Sequence, residues 1–433
     1  MLKYSTEQLR ELDKQHLWHP FTQMQDWCAD DHEPMILESG EGAMLRDSEG
    51  NDYIDGNASI WTNVHGHSHP KIVAAISEQA AKLAHCSALG YTNEPAIKLA
   101  KALVDLTPDS LTRVFFSDDG STAIECACKM AIQYRQLTGE PERTRFISFN
   151  EAYHGDTAGA ASLGGIGAFQ DRFEHTGFRV THVPDLAALK SLSDSEIESV
   201  TAITIEPLIQ GAAGMQLWPS GMLTELRAWC DVHDVFLIYD EVMTGFGKTG
   251  TLFAFEQEPD ATPDFLCLAK GLTGGTMPLA ATLTTERLFA GFLGEYEEQK
   301  TFFYGHSYCS NPLVCAAALA SIEVFRDEKV IESLPEKVDF FRSEIARAFK
   351  NDARVLEIRH IGLIAGIELK SDDWRDQTGA RVCFAARKHG LLTRPVRDTL
   401  VLMFPLCISN EQISRAVEAL RLGLEAIAPN PDS

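Results

Sequence analysis

The sequence predicts an α/β fold: a large domain on a mostly parallel, seven-stranded sheet flanked by helices, followed by a smaller α+β unit. Three observations carry this. Seven short apolar runs recur after residue 110, with helical stretches between most of them. Alternation of that kind builds a parallel sheet with helices on both faces. Short apolar runs of this length read as strands buried on both faces of such a sheet. Two of them, Val235–Asp240 and Phe265–Lys270, end on a single charged residue.

In chain order, residues 5–16 are charged and amphipathic and read as a helix. The stretch 16–24 is aromatic, contains Pro20 and reads as irregular. Short strands are expected near 35–38, 43–46 and 53–55, between Gly and Asp turns. An amphipathic helix is expected over 71–84. The seven strand candidates are 114–117, 145–149, 180–183, 202–206, 236–240, 265–269 and 280–284. A helix is expected near 312–327, another at 333–350, and then short strands with helices near 378–388 and 410–426. These breaks divide the chain into an N-terminal segment 1–70, a large domain 71–328 and a small C-terminal domain 329–433.

The chain has 433 residues, 45% hydrophobic and 23% charged, an ordinary globular composition. Its 38 basic and 62 acidic residues give a net charge of −24. No basic block offsets that charge, so a nucleic-acid partner is not expected. The 10 cysteines contain no C-x-x-C pair, so a structural zinc site is not expected. No signal-type leader and no apolar run of about 18 residues occurs, so a cytoplasmic protein without a membrane span is expected.

An Asp and a Lys at the carboxyl ends of buried strands lie where α/β proteins hold ligands. One chemistry that needs this pair is pyridoxal phosphate catalysis. The lysine forms the Schiff base, and the carboxylate keeps the pyridine nitrogen protonated. Burial of Lys270 would favour its neutral, nucleophilic form; a surface lysine at a strand end is the plainer alternative. Ser117–Thr122 joins a strand to the helix 123–136, and its backbone N–H groups suit a phosphate. The same residues also read as an ordinary helix cap. Tyr153 follows the next strand and either stacks on a cofactor ring or sits half-buried in a polar loop. Glu206 either belongs to the site or ends its strand.

Two tempting motifs are set aside. Gly245-Phe-Gly-Lys248-Thr249 lacks the P-loop glycine, because Val242 occupies that position. His65, His67 and His69 beside Gly66 and Pro70 read as a turn rather than a metal site.

Together these words resemble the class III, fold-type I pyridoxal-phosphate-dependent aminotransferases over nearly the whole chain. The specific pair is Asp240-Glu-Val-Met-Thr-Gly-Phe-Gly-Lys-Thr-Gly250 with Lys270-Gly-Leu-Thr-Gly-Gly275. Within the class the chain resembles the biotin branch, which aminates 8-amino-7-oxononanoate. The words that match are His16–Met24, Trp61–Gly66, Tyr153–Thr157, Gly271–Pro278, Gly305–Tyr308, Asn311-Pro312 and Thr393–Pro395.

The resemblance implies a small domain made from the two chain ends. It implies that Lys270 bonds to the cofactor and shuttles a proton, and that Asp240 pairs with the pyridine nitrogen. Tyr153 would lie against ring and substrate. Gly120 and Ser121 would hold the phosphate, and His154 and Glu206 would complete the cofactor site. His306 and Ser307 would reach the phosphate from a second subunit, implying a homodimer. Phe21, Ile60, Trp61, Gly305 and Arg394 would face substrate, with Arg394 taking its carboxylate.

Two departures bear on substrate. Ala212 or Ala213 stands where members acting on ornithine or 4-aminobutyrate carry a glutamate. Phe21 and Ile60 stand where adenosylmethionine users typically have tyrosine and tryptophan. The donor therefore stays open between adenosylmethionine and lysine, and an ω-amino acid:pyruvate aminotransferase is the alternative within the class.

Overall fold

The computed structural model describes residues 4–170, 173, 176–371 and 373–427. Residues 1–3 and 428–433, which the sequence assigns to the terminal segments, lie outside that range.

All seven expected runs are strands of one sheet. Its order is Leu111–Ser117, Ala280–Thr285, Phe265–Leu268, Phe236–Asp240, Val200–Ile205, Arg145–Phe149, Arg179–Val183. Ala280–Thr285 runs antiparallel to both its neighbours, and the pairs from Phe265–Leu268 outward to Arg179–Val183 are parallel.

Successive side chains of a strand point to opposite faces, and here both faces are covered. Leu237 and Tyr239 enter one core with Leu266, Leu268, Ile203 and Ile205. Phe236 and Ile238 enter another with Phe265, Cys267 and Ala202. The second core is closed by helix Gly120–Leu137, through Ala123, Ile124, Ala127, Cys128 and Ala131. Burial on both faces favours apolar residues along each strand, and the polar residues that do occur there, such as Thr201, Thr204 and Thr282, are small hydroxyl side chains.

The chain ends meet. Leu37–Glu41, Met44–Asp47 and Asp52–Asp55 form a meander whose last strand pairs in parallel with Leu391–Leu392. A second small sheet holds Val355–Ile361, Ile364–Leu369, Thr399–Met403 and Pro395–Val396. Helices Leu334–Phe349, Thr378–Ala386 and Asn410–Ile427 accompany it. Helix Pro312–Asp327 packs against Pro70–Lys82 and Glu94–Leu106.

Two sequence expectations need correction. The first short strand spans Leu37–Glu41 rather than 35–38, because its register is set by pairing with Met44–Asp47. The stretch 16–24 is irregular only to Gln23, and Met24 opens the short helix Met24–Trp27. The three alternating histidines have different partners: His65 Nε2 lies 3.1 Å from Ser321 Oγ, His67 Nε2 2.9 Å from Asp55 Oδ2, and His69 Nε2 3.0 Å from Glu328 Oε1. All ten cysteines are free thiols. Among the described residues no helix is long and apolar enough to cross a membrane.

Candidate active site

Phe236–Asp240 and Phe265–Leu268 are parallel neighbours, with Asp240 opposite Cys267. Asp240 therefore emerges at the carboxyl edge of the sheet, and Lys270 follows two residues after its own strand ends. Lys270 has a left-handed φ of 44°. That conformation costs an ordinary residue about 1–3 kcal/mol and persists where the surroundings over-determine it.

Both side chains line a cavity of about 550 Å3 together with Gly120, Ser121, Tyr153, His154, Glu206, Ile60 and Trp61. The volume lies within the ~300–1,000 Å3 usual for small-molecule sites. Nine sequence-selected residues from six stretches of chain are thus brought to one place.

The Lys270 amine has no hydrogen-bond partner among the described residues; its Nζ stands 5.2 Å from the centre of the Trp61 ring. Burial lowers its pKa, with Asp240 and Glu206 acting in the opposite direction. The result is an amine more readily neutral than a surface lysine.

Asp240 is buried. Its Oδ2 accepts from His154 Nδ1 at 2.7 Å and its Oδ1 from the Val242 amide at 3.1 Å. His154 Nε2 lies 3.4 Å from Ser148 Oγ. Glu206 accepts the Tyr153 amide at 3.3 Å and the Gly211 amide at 3.1 Å. Burial, aided by the Asp240 charge and opposed by His154 and the two amides, pushes its carboxyl up to about 7. The Tyr153 hydroxyl donates to Asp156 Oδ2 at 2.5 Å, and burial pushes its pKa well above the ordinary phenol value.

Helix Gly120–Leu137 begins at the cavity wall. Asp119 caps it, its side chain accepting from the Thr122 amide at 3.0 Å. The cap engages the amide of Thr122. The positive end of an 18-residue helix opens onto the cavity at Gly120 and Ser121. Gly120 lies so close to Val242 that a Cβ would come within 2.6 Å of Val242 Cγ1. The helix cap that the sequence offers is present, and the capped terminus faces the cavity.

A second cavity, about 910 Å3, shares Ile60, Trp61 and Tyr153 with the first. Its walls include Trp18, Pro20, Phe21, Ile166, Phe169, Ala212 and Val396, and Arg394 lines it too. Arg394 is exposed and makes no hydrogen bond or ion pair among the described residues. Phe169 meets both Phe21 and Tyr153 edge-on, with ring centres 5.4 and 5.8 Å apart.

Gly305, His306 and Ser307 line neither cavity of their own chain. His306 Nδ1 lies 3.4 Å from Oδ2 of Asp118, which lines the first cavity, and its buried Nε2 has no hydrogen-bond partner among the described residues. Sequence reasoning missed Val242, Met243 and Phe169. Val242 could have been inferred from its place two residues after Asp240; Phe169 carries no sequence signal, being one apolar residue on a four-residue helix.

The cavity suits pyridoxal phosphate chemically: a helix N-terminus for an anion, a buried carboxylate for a ring nitrogen, and an unpartnered amine for an aldehyde.

Comparison with known proteins agrees. The family model for class-III aminotransferases matches residues 28–424. The adenosylmethionine-8-amino-7-oxononanoate aminotransferase of Geobacter sulfurreducens is 42% identical over 99% of each chain. The crystal structure of the enzyme of that name from Methanocaldococcus jannaschii superposes with a TM-score of 0.95 at 40% identity, covering 98% of this chain and 100% of that one. An (S)-enantioselective omega-transaminase from Thermomicrobium roseum superposes at 0.90 with 28% identity, covering 99% and 100%. From the shared cavity of Asp240 and Lys270 to the match along nearly its full length, the chain belongs to the class-III aminotransferases.

Proposed function

We propose that this aminotransferase converts 8-amino-7-oxononanoate to 7,8-diaminononanoate in biotin synthesis, using pyridoxal phosphate and an amino group from adenosylmethionine or lysine. One observation carries the substrate reading. Arg394, a cation without a partner among the described residues, lines a largely apolar cavity that shares Ile60, Trp61 and Tyr153 with the Lys270 cavity. A substrate with a carboxylate at one end, a reacting ketone towards the other and an apolar chain between them matches that layout. The curated relatives carry that substrate in their names.

The bound cofactor would supply an aldehyde carbon that takes up amines and a ring that withdraws electrons. Lys270 Nζ would hold the aldehyde end, and Asp240 the ring nitrogen. Tyr153 would lie against the ring, with His154 and Glu206 fixing its surroundings. The Gly120 and Ser121 amides would hold the phosphate, joined by the partner subunit's His306 and the partner subunit's Ser307 in a homodimer. During turnover Lys270 Nζ would take and return the proton at the reacting carbon of the substrate. Arg394 would grip the carboxylate of the substrate, while Phe21, Ile60 and Trp61, with the partner subunit's Gly305, would shape its passage. We take residues 1–70 and 329–433 as the small domain, 71–328 as the large one, and the cytoplasm as the compartment.

Half-reactions test this. Purified enzyme is mixed with adenosylmethionine or with lysine, and loss of the cofactor's aldehyde-form absorbance is followed. The oxononanoate should then restore that absorbance and yield the diamine. The similarity to an omega-transaminase favours one second reading, an ω-amino acid:pyruvate aminotransferase. Turnover with β-alanine and pyruvate, and none with the oxononanoate, would put that reading in its place.

A further inference from the structure

Ala58, Ser59, Ile60 and Trp61 pass in succession through left-handed φ values of 43°, 48°, 60° and 65°. Consecutive left-handed residues without glycine are strongly disfavoured for L-amino acids, and a β-branched residue such as Ile60 is an outlier there. The turn is nevertheless regular: Trp61 N donates to Asn57 O and Thr62 N to Ala58 O, each at 2.9 Å.

Asp55 holds it. Buried at the end of strand Asp52–Asp55, its Oδ1 accepts from the amides of Asn57 at 3.3 Å and Ser59 at 3.0 Å. Its Oδ2 accepts from Ser59 Oγ and from His67 Nε2, both at 2.9 Å. Within the turn, Asn57 Oδ1 accepts the Trp61 indole N–H at 2.7 Å. The indole is thereby aimed towards Lys270 Nζ and seated on Gly211, where a Cβ would lie 3.2 Å from Trp61 Cζ3.

We propose that Asp55 is a positioning residue for the reaction: it holds residues 58–61 left-handed, and so sets the Ile60–Trp61 wall shared by the reacting cavity and the substrate cavity. Acceptor recognition by that wall rests on the function proposed above; the conformational part stands without it.

The test uses holoenzyme carrying 5-fluorotryptophan, with the Trp61 fluorine resonance assigned by W61F. Wild type should give one narrow Trp61 line. D55N should broaden or split it and raise KM for the keto-acid acceptor about tenfold or more, a lost contact of ordinary size, with a smaller change in kcat. Glycine enters the left-handed region freely, so the double variant D55N/S59G should recover a narrow line and part of the KM. An unchanged Trp61 line and KM in D55N would overturn the proposal. So would losses that S59G does not reverse, since they would mark a general folding role for Asp55. Should D55N fail to fold, N57A is read by the same two measurements and the same outcomes. Wild type that never aminates the oxononanoate would sink the functional reading, and the fluorine lines would still decide the conformational one.

Discussion

His154 Nδ1 donates to Asp240 Oδ2 across 2.7 Å, and neither side chain reaches bulk solvent. The histidine comes from the loop after Arg145–Phe149 and the aspartate from the end of Phe236–Asp240. The bond fixes the direction of the carboxylate while leaving lone pairs free towards the cavity. D240N keeps the shape but not the charge, so kcat should fall about a hundred- to ten-thousandfold, the range of a lost acid–base partner. H154A should lose less, because it frees the carboxylate without removing it. Steady-state rates of the two variants, at saturating donor, check the order.

In the proposed function Lys270 is the base. K270A should show no multiple turnover, and added small amines such as methylamine should restore a fraction of it by occupying the vacated space. Multiple turnover in K270A without added amine would contradict the assignment.

Arg394 should act on binding more than on rate. R394A should raise KM for the oxononanoate by about 10–100-fold, as expected for loss of a charge-assisted, two-pronged contact. Its kcat should change little, and kinetics with a substrate lacking the carboxylate should hardly distinguish it from wild type.

Gly275 permits the segment after Trp61 to approach. Its φ is +82°, and a Cβ there would meet Asn63 Cα, Asn63 N and Thr62 C at 2.6 Å, all backbone atoms. G275A should lose about 2–4 kcal/mol, from the left-handed backbone and the overpacking together. A lowered urea midpoint with unchanged slope checks this.

Glu241 gives stability a pH dependence. Its buried carboxyl accepts from the Ala254 and Phe255 amides at 2.9 Å and Thr244 Oγ1 at 2.8 Å, yet burial pushes its pKa up to about 7. The ordinary value for the residue is 4.5, so between that pH and 7 the folded chain holds a proton the unfolded chain releases. Stability from this group is therefore full below the lower value and lost as pH rises through 7. E241Q should flatten that part of the profile by an amount on the order of 2 kcal/mol. Urea midpoints at several pH values from 4.5 to 8, for both proteins, measure it.

The sequence by itself determined the sheet and its two chemical ends. The seven runs were legible because strands covered on both faces are predominantly apolar, most plainly from Phe236 to Tyr239. Asp240 and Lys270 stood out because a charge ending such a run has one edge of the sheet to go to. The tertiary structure decided what no local pattern encodes. Asn57-Ala-Ser-Ile-Trp61 contains no glycine to announce a left-handed turn. Partners distant in the chain hold its surroundings: His67 joins the Asp55 clamp, and Lys248, 185 positions from Asn63, donates to the Asn63 carbonyl at 2.5 Å. Phe169 and Arg394 likewise acquire their place only because the fold brings a short helix and the C-terminal strands to the same cavity. Burial is written into each residue's own polarity, whereas a disfavoured backbone is sustained by contacts that exist only once the chain has closed on itself.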